Sequence, residues 1–184
     1  KEFFEEGQQL FMAGKVKGSI EKFNQALESG YDEIPLYLSR GAAYINLQDY
    51  DRALADLDKA LAKEPENERA HYYRGIILLN KEDYSKAIED FNESIKQNPD
   101  RGPAFLGRGL ALAELGQEDE AMDNFKTAVA HSTVEVERFT HGFENARTKF
   151  GRSMALLEGD RGPLSQVLSP EEVEKLQRWL EPER

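Results

Sequence analysis

The chain has 184 residues, a formal charge of −11 and no cysteine. That length suits one domain, and the lack of cysteine excludes disulfides, thiol catalysis and thiolate-bound zinc. The acidic balance argues against nucleic acid, which requires a clustered basic surface, and no apolar run approaches the roughly 18 residues needed to cross a bilayer.

Residues 1–132 hold 16 Lys and Arg against 25 Asp and Glu, a balance of −9, so the acidity belongs mainly to this part. It permits a basic partner, although charge on a helical array ordinarily marks its solvated outer face. The segment is repetitive. Gly7, Gly41, Gly75 and Gly109 recur at a constant step of 34 residues with no insertion. A period of this length is the mark of stacked helical hairpins. The copies run over residues 2–34, 35–67, 68–101 and 102–133.

Copy one opens with Phe4, Gly7 and Phe11, and carries Phe23 in its second half. It holds Ser19 where the other copies have alanine, and Tyr31 where two of them close on proline. Copy two has a first apolar burst at Tyr37, Gly41 and Tyr44 and a second at Ala53, Leu57 and Ala60. Gln48-Asp49-Tyr50-Asp51 separates the bursts, and Pro65 ends the copy, where a helix cannot continue. Copy three repeats the plan up to Pro99; copy four places Gly109, Ala121 and Phe125 in register but ends on Thr133. Glycine inside a helix costs about 0.8–1 kcal/mol relative to alanine, so its recurrence requires a packing reason. We expect the glycine row to lie where the two helices of one hairpin cross, facing Ala53, Ala87 and Ala121.

Beyond the repeats, Val136, Phe139, Phe143, Ala146, Phe150, Met154 and Leu157 step by three and four. This spacing predicts a long capping helix over residues 134–158. Residues 159–184 are read as a joint, Gly159 to Pro163, followed by an amphipathic helix that Ser169 and Pro170 start. Its apolar face holds Val173, Leu176, Trp179 and Leu180. Two placements are open for it. It braces the capping helix near Phe143 and Phe150, or it turns back and covers the groove of the repeats. Lys1 in place of an initiator methionine leads us to expect a trimmed or mature form without its targeting segment. The compartment is not legible.

No catalytic, cofactor-binding or metal site is expected. His71 falls at an aromatic position and is read as core; His131 and His141 have no carboxylate at ligand spacing. Carboxylates are abundant, but none accompanies a nucleophile. Gly102 to Gly109 lacks the Lys-Ser/Thr ending of a phosphate loop and falls within a helix. Asn92-Glu93-Ser94 fits a glycosylation sequon only by pattern. Arg40, Arg74 and Arg108 precede the recurring glycine, and we expect them to pair with Asp56, Asp90 or Asp123 and hold the copies in register.

These residues carry a family resemblance. A glycine, an aromatic or leucine three later, then Ala, Phe or Leu, Ala or Ser, and Pro at a 34-residue period resemble the tetratricopeptide repeat, over residues 2 to 133. The resemblance implies an all-α, right-handed superhelical solenoid of helical hairpins with a C-terminal capping helix. It implies a non-enzymatic scaffold or adaptor with a protein or peptide partner, and leaves a homo-oligomer possible. Chaperone-binding members grip a terminal carboxylate with Lys, Asn and Arg. Those positions here are Phe4, Gln8, Ser39, Arg69 and Tyr73, or one copy later Leu38, Ala42, Tyr73, Pro103 and Gly107. Only Arg69 keeps a matching charge. An ordinary chaperone-tail adaptor is therefore not expected, and an atypical one stays an alternative. The first helices carry a second apolar face at positions that line the family's concave groove. It comprises Phe4, Phe11, Leu38, Ala42, Ile45, Tyr72, Ile76, Leu79, Leu106 and Leu110, with Arg69 beside it. An open apolar face of this kind marks an interaction site, used by a helix, by an extended peptide or, alternatively, by a second copy in a self-associating assembly.

Overall fold

The computed structural model of the protein describes residues 1–131; the expected capping helix and the C-terminal helix lie outside the described residues. Four pairs of helices follow one another: α1 (Glu2–Met12) and α2 (Val16–Glu28), α3 (Ile34–Asn46) and α4 (Tyr50–Lys63), α5 (Glu68–Asn80) and α6 (Tyr84–Gln97), α7 (Gly102–Glu114) and α8 (Glu118–His131). Each helix packs on its neighbours in the chain, and the first helices of successive pairs also touch, α1 on α3, α3 on α5 and α5 on α7. The architecture is an all-α solenoid of helical hairpins.

Local chemistry sets the helix ends. Pro35 and Pro103 occupy the first turn of α3 and α7, where a missing N–H leaves nothing unsatisfied. Asp49 Oδ1 accepts from the Arg52 N–H at 3.3 Å, and Asn67 Oδ1 from the Ala70 N–H at 3.0 Å. All four first helices end in the same left-handed turn, with φ of 72° at Gly14, 60° at Gln48, 64° at Glu82 and 78° at Gly116. The following residue closes each turn, as Lys15 N–H donates to the Leu10 carbonyl at 2.8 Å and Asp49 N–H to that of Tyr44 at 2.9 Å. Copies one and four thus use glycine where copies two and three use Gln48 and Glu82, against the side-chain clash of that region. Gln48→Gly is expected to stabilise the fold by roughly 0.5 kcal/mol, the relief exceeding the added chain entropy. A urea midpoint that falls instead of rising would overturn this account of the turn.

The glycine row is a close-contact row, but its partner differs from the expected one. A Cβ built on Gly7, Gly75 or Gly109 would lie 2.6, 2.8 or 2.7 Å from a ring carbon of Phe23, Phe91 or Phe125. At Gly41 the nearest atom belongs to Leu57, at 3.5 Å, with Ala53 offering only its carbonyl oxygen at 3.8 Å. Ala53, Ala87 and Ala121 are buried, yet the large residue one turn further on fills the crossing. Phe91 is held from both sides, because a Cβ on Gly107 of the next hairpin would meet its Cζ at 2.4 Å.

The arginine ladder sets the register. Arg40 donates to both Asp56 oxygens at 2.8 and 2.7 Å and to Asn24 Oδ1 at 2.7 Å. Arg74 donates to Asp90 at 2.8 and 2.9 Å and lies 3.6 Å from Asp58. Arg108 donates to Asn124 Oδ1 at 2.8 Å and to Asn92 Oδ1 at 2.7 Å. Every rung therefore ties the second helix of its own hairpin to that of the preceding one. The pairings with Asp56 and Asp90 are as expected, whereas Asn124 takes the place expected of Asp123. Hydrogen bonds to Asp56 and Asp90 raise the Arg40 and Arg74 guanidinium pKa values, while burial among neutral amides lowers that of Arg108. His71 is buried as expected, its Nδ1 2.8 Å from Asp90 Oδ1 and its Nε2 2.8 Å from the Pro65 carbonyl oxygen. The Gly102 to Gly109 run lies inside α7, and Asn92 sits on α6 with its amide oxygen on Arg108.

Candidate functional site

A residue and the one four later lie on the same helical face. Gln8 and Met12 on α1, Leu38 and Ala42 on α3, and Arg69 and Tyr73 on α5 are three such pairs, and they converge. Together with Phe11, Ser39 and the ring of Phe23 they line a cavity of about 240 Å³. The cavity exists because α1, α3 and α5 touch in succession and their side chains leave a gap on the shared side.

Four of the expected groove residues meet there, namely Phe11, Leu38, Ala42 and Arg69. The other seven do not line this cavity and are buried. Phe4 stacks on Tyr31 with ring centroids 5.0 Å apart, and Tyr72 packs obliquely against Phe91 at 6.3 Å. Ile45, Ile76, Leu79, Leu106 and Leu110 are likewise buried in the common core. First helices pack on one another as well as on second helices, which takes two apolar faces out of water. Gln8, Met12, Ser39, Tyr73 and Phe23 were not expected to form a site. Their sequence mark is the spacing of four and the match of Gln8, Ser39 and Tyr73 to the carboxylate-gripping positions, where the residue types did not fit. Val173, Leu176, Trp179 and Leu180 lie outside the described residues, as does His141.

Arg69 is exposed and is the only charged side chain lining the cavity among the described residues. Beside it, Arg101 donates to Glu68 Oε2 at 2.7 Å, Ser94 Oγ donates to Glu68 Oε1 at 2.8 Å, and the Arg101 guanidinium lies 5.2 Å from the Tyr72 ring centroid. Burial pushes the Tyr73 phenol up, against the pull of Arg69 and Arg101, with Glu68 adding to the rise. The phenol therefore stays neutral at physiological pH. A second cavity, of about 430 Å³, lies at the α3–α4 turn among Leu47, Gln48, Asp49, Tyr50, Asp51 and Lys81. Its charges are consumed locally, with Lys81 Nζ 3.2 Å from Asp51 Oδ1 and Asp49 bound to Arg52. Among the described residues no cluster of three or more His, Asp or Glu is arranged to hold a metal, and no helix is long and apolar enough to cross a membrane.

The tetratricopeptide repeat family model matches residues 38–102 and 75–133. Tetratricopeptide repeat protein 12 of Homo sapiens is 32% identical over 69 residues, which is 38% of this chain and 10% of that protein. Sperm-associated antigen 1 of Rattus norvegicus is 34% identical over 68 residues, 37% of this chain and 8% of that protein. The matched segments span about a tenth or less of these relatives. A crystal structure of MamA superposes with a TM-score of 0.65 at 23% identity, covering 73% of this chain and 79% of that one. MamA from residue 41 onward of Desulfovibrio magneticus RS-1 gives 0.64 at 20% identity, covering 98% and 96%. At such identities the likeness concerns the fold. The 34-residue register, the hairpin stack and the family match over more than half of its length agree: the chain belongs to the tetratricopeptide repeat family.

Proposed function

We propose that the protein is a non-enzymatic interaction module, a scaffold or adaptor that binds a peptide or a helix along the shared face of its first helices. One observation carries the reading: the cavity between α1, α3 and α5 joins apolar walls to an exposed cation that has no carboxylate partner among the described residues. Apolar side chains fix a peptide by burial, and the polar rim fixes its direction. Arg40, Arg74 and Arg108, by contrast, are engaged in the ladder between hairpins. The test is a displayed random-peptide library selected on the whole chain. Sequences enriched on the native protein are expected to lose binding at least about tenfold, or roughly 1.4 kcal/mol, on a Phe11→Glu, Met12→Glu variant of unchanged helicity. Binding that survives these substitutions moves the partner to another surface. The Tyr72 and Ile76 positions are unsuited to this test, because charges there would unfold the core.

Self-association is the second reading, favoured by an apolar edge that includes one cavity residue, Met12. Met12, Leu47 and Leu115 are exposed apolar residues at or next to the ends of α1, α3 and α7, along one edge of the stack. A mass by light scattering that stays monomeric across concentration excludes it.

A further inference from the structure

We propose that two copies of the chain join antiparallel along the edge formed by the turns within the hairpins, hairpin one of each against hairpin four of the other. The proposal rests on the self-association reading above and adds the geometry of the contact. Each second helix runs back along its first, so the turns at Gly14, Gln48, Glu82 and Gly116 share one edge of the stack. Contacts along that edge link neighbouring turns. Lys81 Nζ lies 3.2 Å from Asp51 Oδ1, and the Tyr84 hydroxyl donates to Glu114 Oε2 at 3.5 Å. Met12, Leu47 and Leu115 stand exposed on this edge, and Phe3 is the only other exposed large apolar side chain among the described residues.

Charge sets the direction. In the middle of the edge the acids have partners, Asp49 in Arg52, Asp51 in Lys81 and Asp83 in Lys86. The two ends differ in sign. The first turn exposes Lys15 and Lys17, the fourth exposes Glu118 and Asp119, and none of these four makes an ion pair among the described residues. A chain of net charge −11 repels its own copy in most orientations. A parallel contact would set Lys15 and Lys17 against the same lysines of the second copy. The antiparallel contact sets them against Glu118 and Asp119, and does so at both ends. Its two-fold axis falls at mid-edge, between hairpins two and three. The same operation places Met12 opposite Leu115 of the second copy. It also brings Leu47 of each copy to the other's hollow of about 430 Å³ beside Lys81. Apolar contacts flanked by charges match the core and rim of a protein interface, and a two-fold contact closes at two copies.

Sedimentation of the whole chain across concentration, with two charge-reversed variants, tests this. The native chain is expected to form a dimer and nothing larger. Lys15→Glu with Lys17→Glu is expected to weaken that dimer at least about tenfold, since each substitution acts at both ends and turns a pair into a repulsion. Glu118→Lys with Asp119→Lys is expected to do the same. All four positions are exposed, so both variants are expected to keep the native helicity. An equimolar mixture of the two is expected to recover the dimer to within about threefold of native, because opposite charges then meet at both ends of a mixed pair. A dimer indifferent to both variants, a loss that mixing does not recover, or a mass that grows beyond two copies overturns the antiparallel edge and leaves self-association standing. A native chain that stays monomeric at every concentration overturns that reading and this inference together.

Discussion

Asp90→Ala is expected to cost about 3 kcal/mol, the lower end for breaking a buried pair by removing one partner. Asp90 is buried on α6 and receives Arg74 Nε at 2.8 Å and Arg74 Nη2 at 2.9 Å, with His71 Nδ1 2.8 Å from its Oδ1. Its removal strands a guanidinium and an imidazole between two hairpins, where water replaces the carboxylate poorly. The neighbouring Asp58→Ala is the control. Asp58 is exposed and only 3.6 Å from Arg74, so its loss is expected to cost less than about 1 kcal/mol. Urea unfolding of the two variants checks the contrast, and equal losses would mean that the ladder does not hold the register. Copy four shows the weaker natural rung, since Asn124 gives Arg108 one neutral acceptor where Asp90 gives Arg74 two charged ones.

Gly107→Ala is expected to destabilise by roughly 1–3 kcal/mol, the usual cost of overpacking. The added methyl would lie 2.4 Å from Phe91 Cζ, and the ring has no free direction because Gly75 closes its other side at 2.8 Å. Gly75→Leu is expected to fail for the same reason. Copy two shows the compatible arrangement: Leu57 stands opposite Gly41 and leaves 3.5 Å. Combining Gly107→Ala with Phe91→Leu is therefore expected to recover most of the loss, with a coupling of about 1 kcal/mol or more in a double-mutant cycle. Strict additivity of the two changes would show that the ring and the glycine do not share a contact. A solenoid joins its units only through such nearest-neighbour contacts. The Phe91 clamp, which touches two hairpins, is thus expected to affect the cooperativity of unfolding as well as its midpoint.

The sequence by itself determined the unit and its repetition. A 34-residue glycine register, helical apolar spacing and the prolines at Pro35, Pro65, Pro99 and Pro103 fix two helices per copy and where each copy turns. It also determined the pairing of Arg40 with Asp56 and of Arg74 with Asp90, because arginine and acid recur at one interval and like copies stack alike. The tertiary structure decided which apolar faces stay accessible. Hydrophobic spacing states that a side chain leaves water, but not whether a neighbouring helix or a ligand removes it. Ile45, Ile76 and Leu79 are buried in the core, while Phe11, Leu38, Ala42 and Arg69 line the cavity. Gln8, Ser39 and Tyr73 join them there, polar or aromatic residues that a search for an apolar face does not select. The choice of Asn124 over Asp123 has the same origin. At 3.6 residues per turn a one-residue step rotates a side chain by about 100°, so Asn124 faces Arg108 while Asp123 faces solvent, an angle that only the packed neighbours fix.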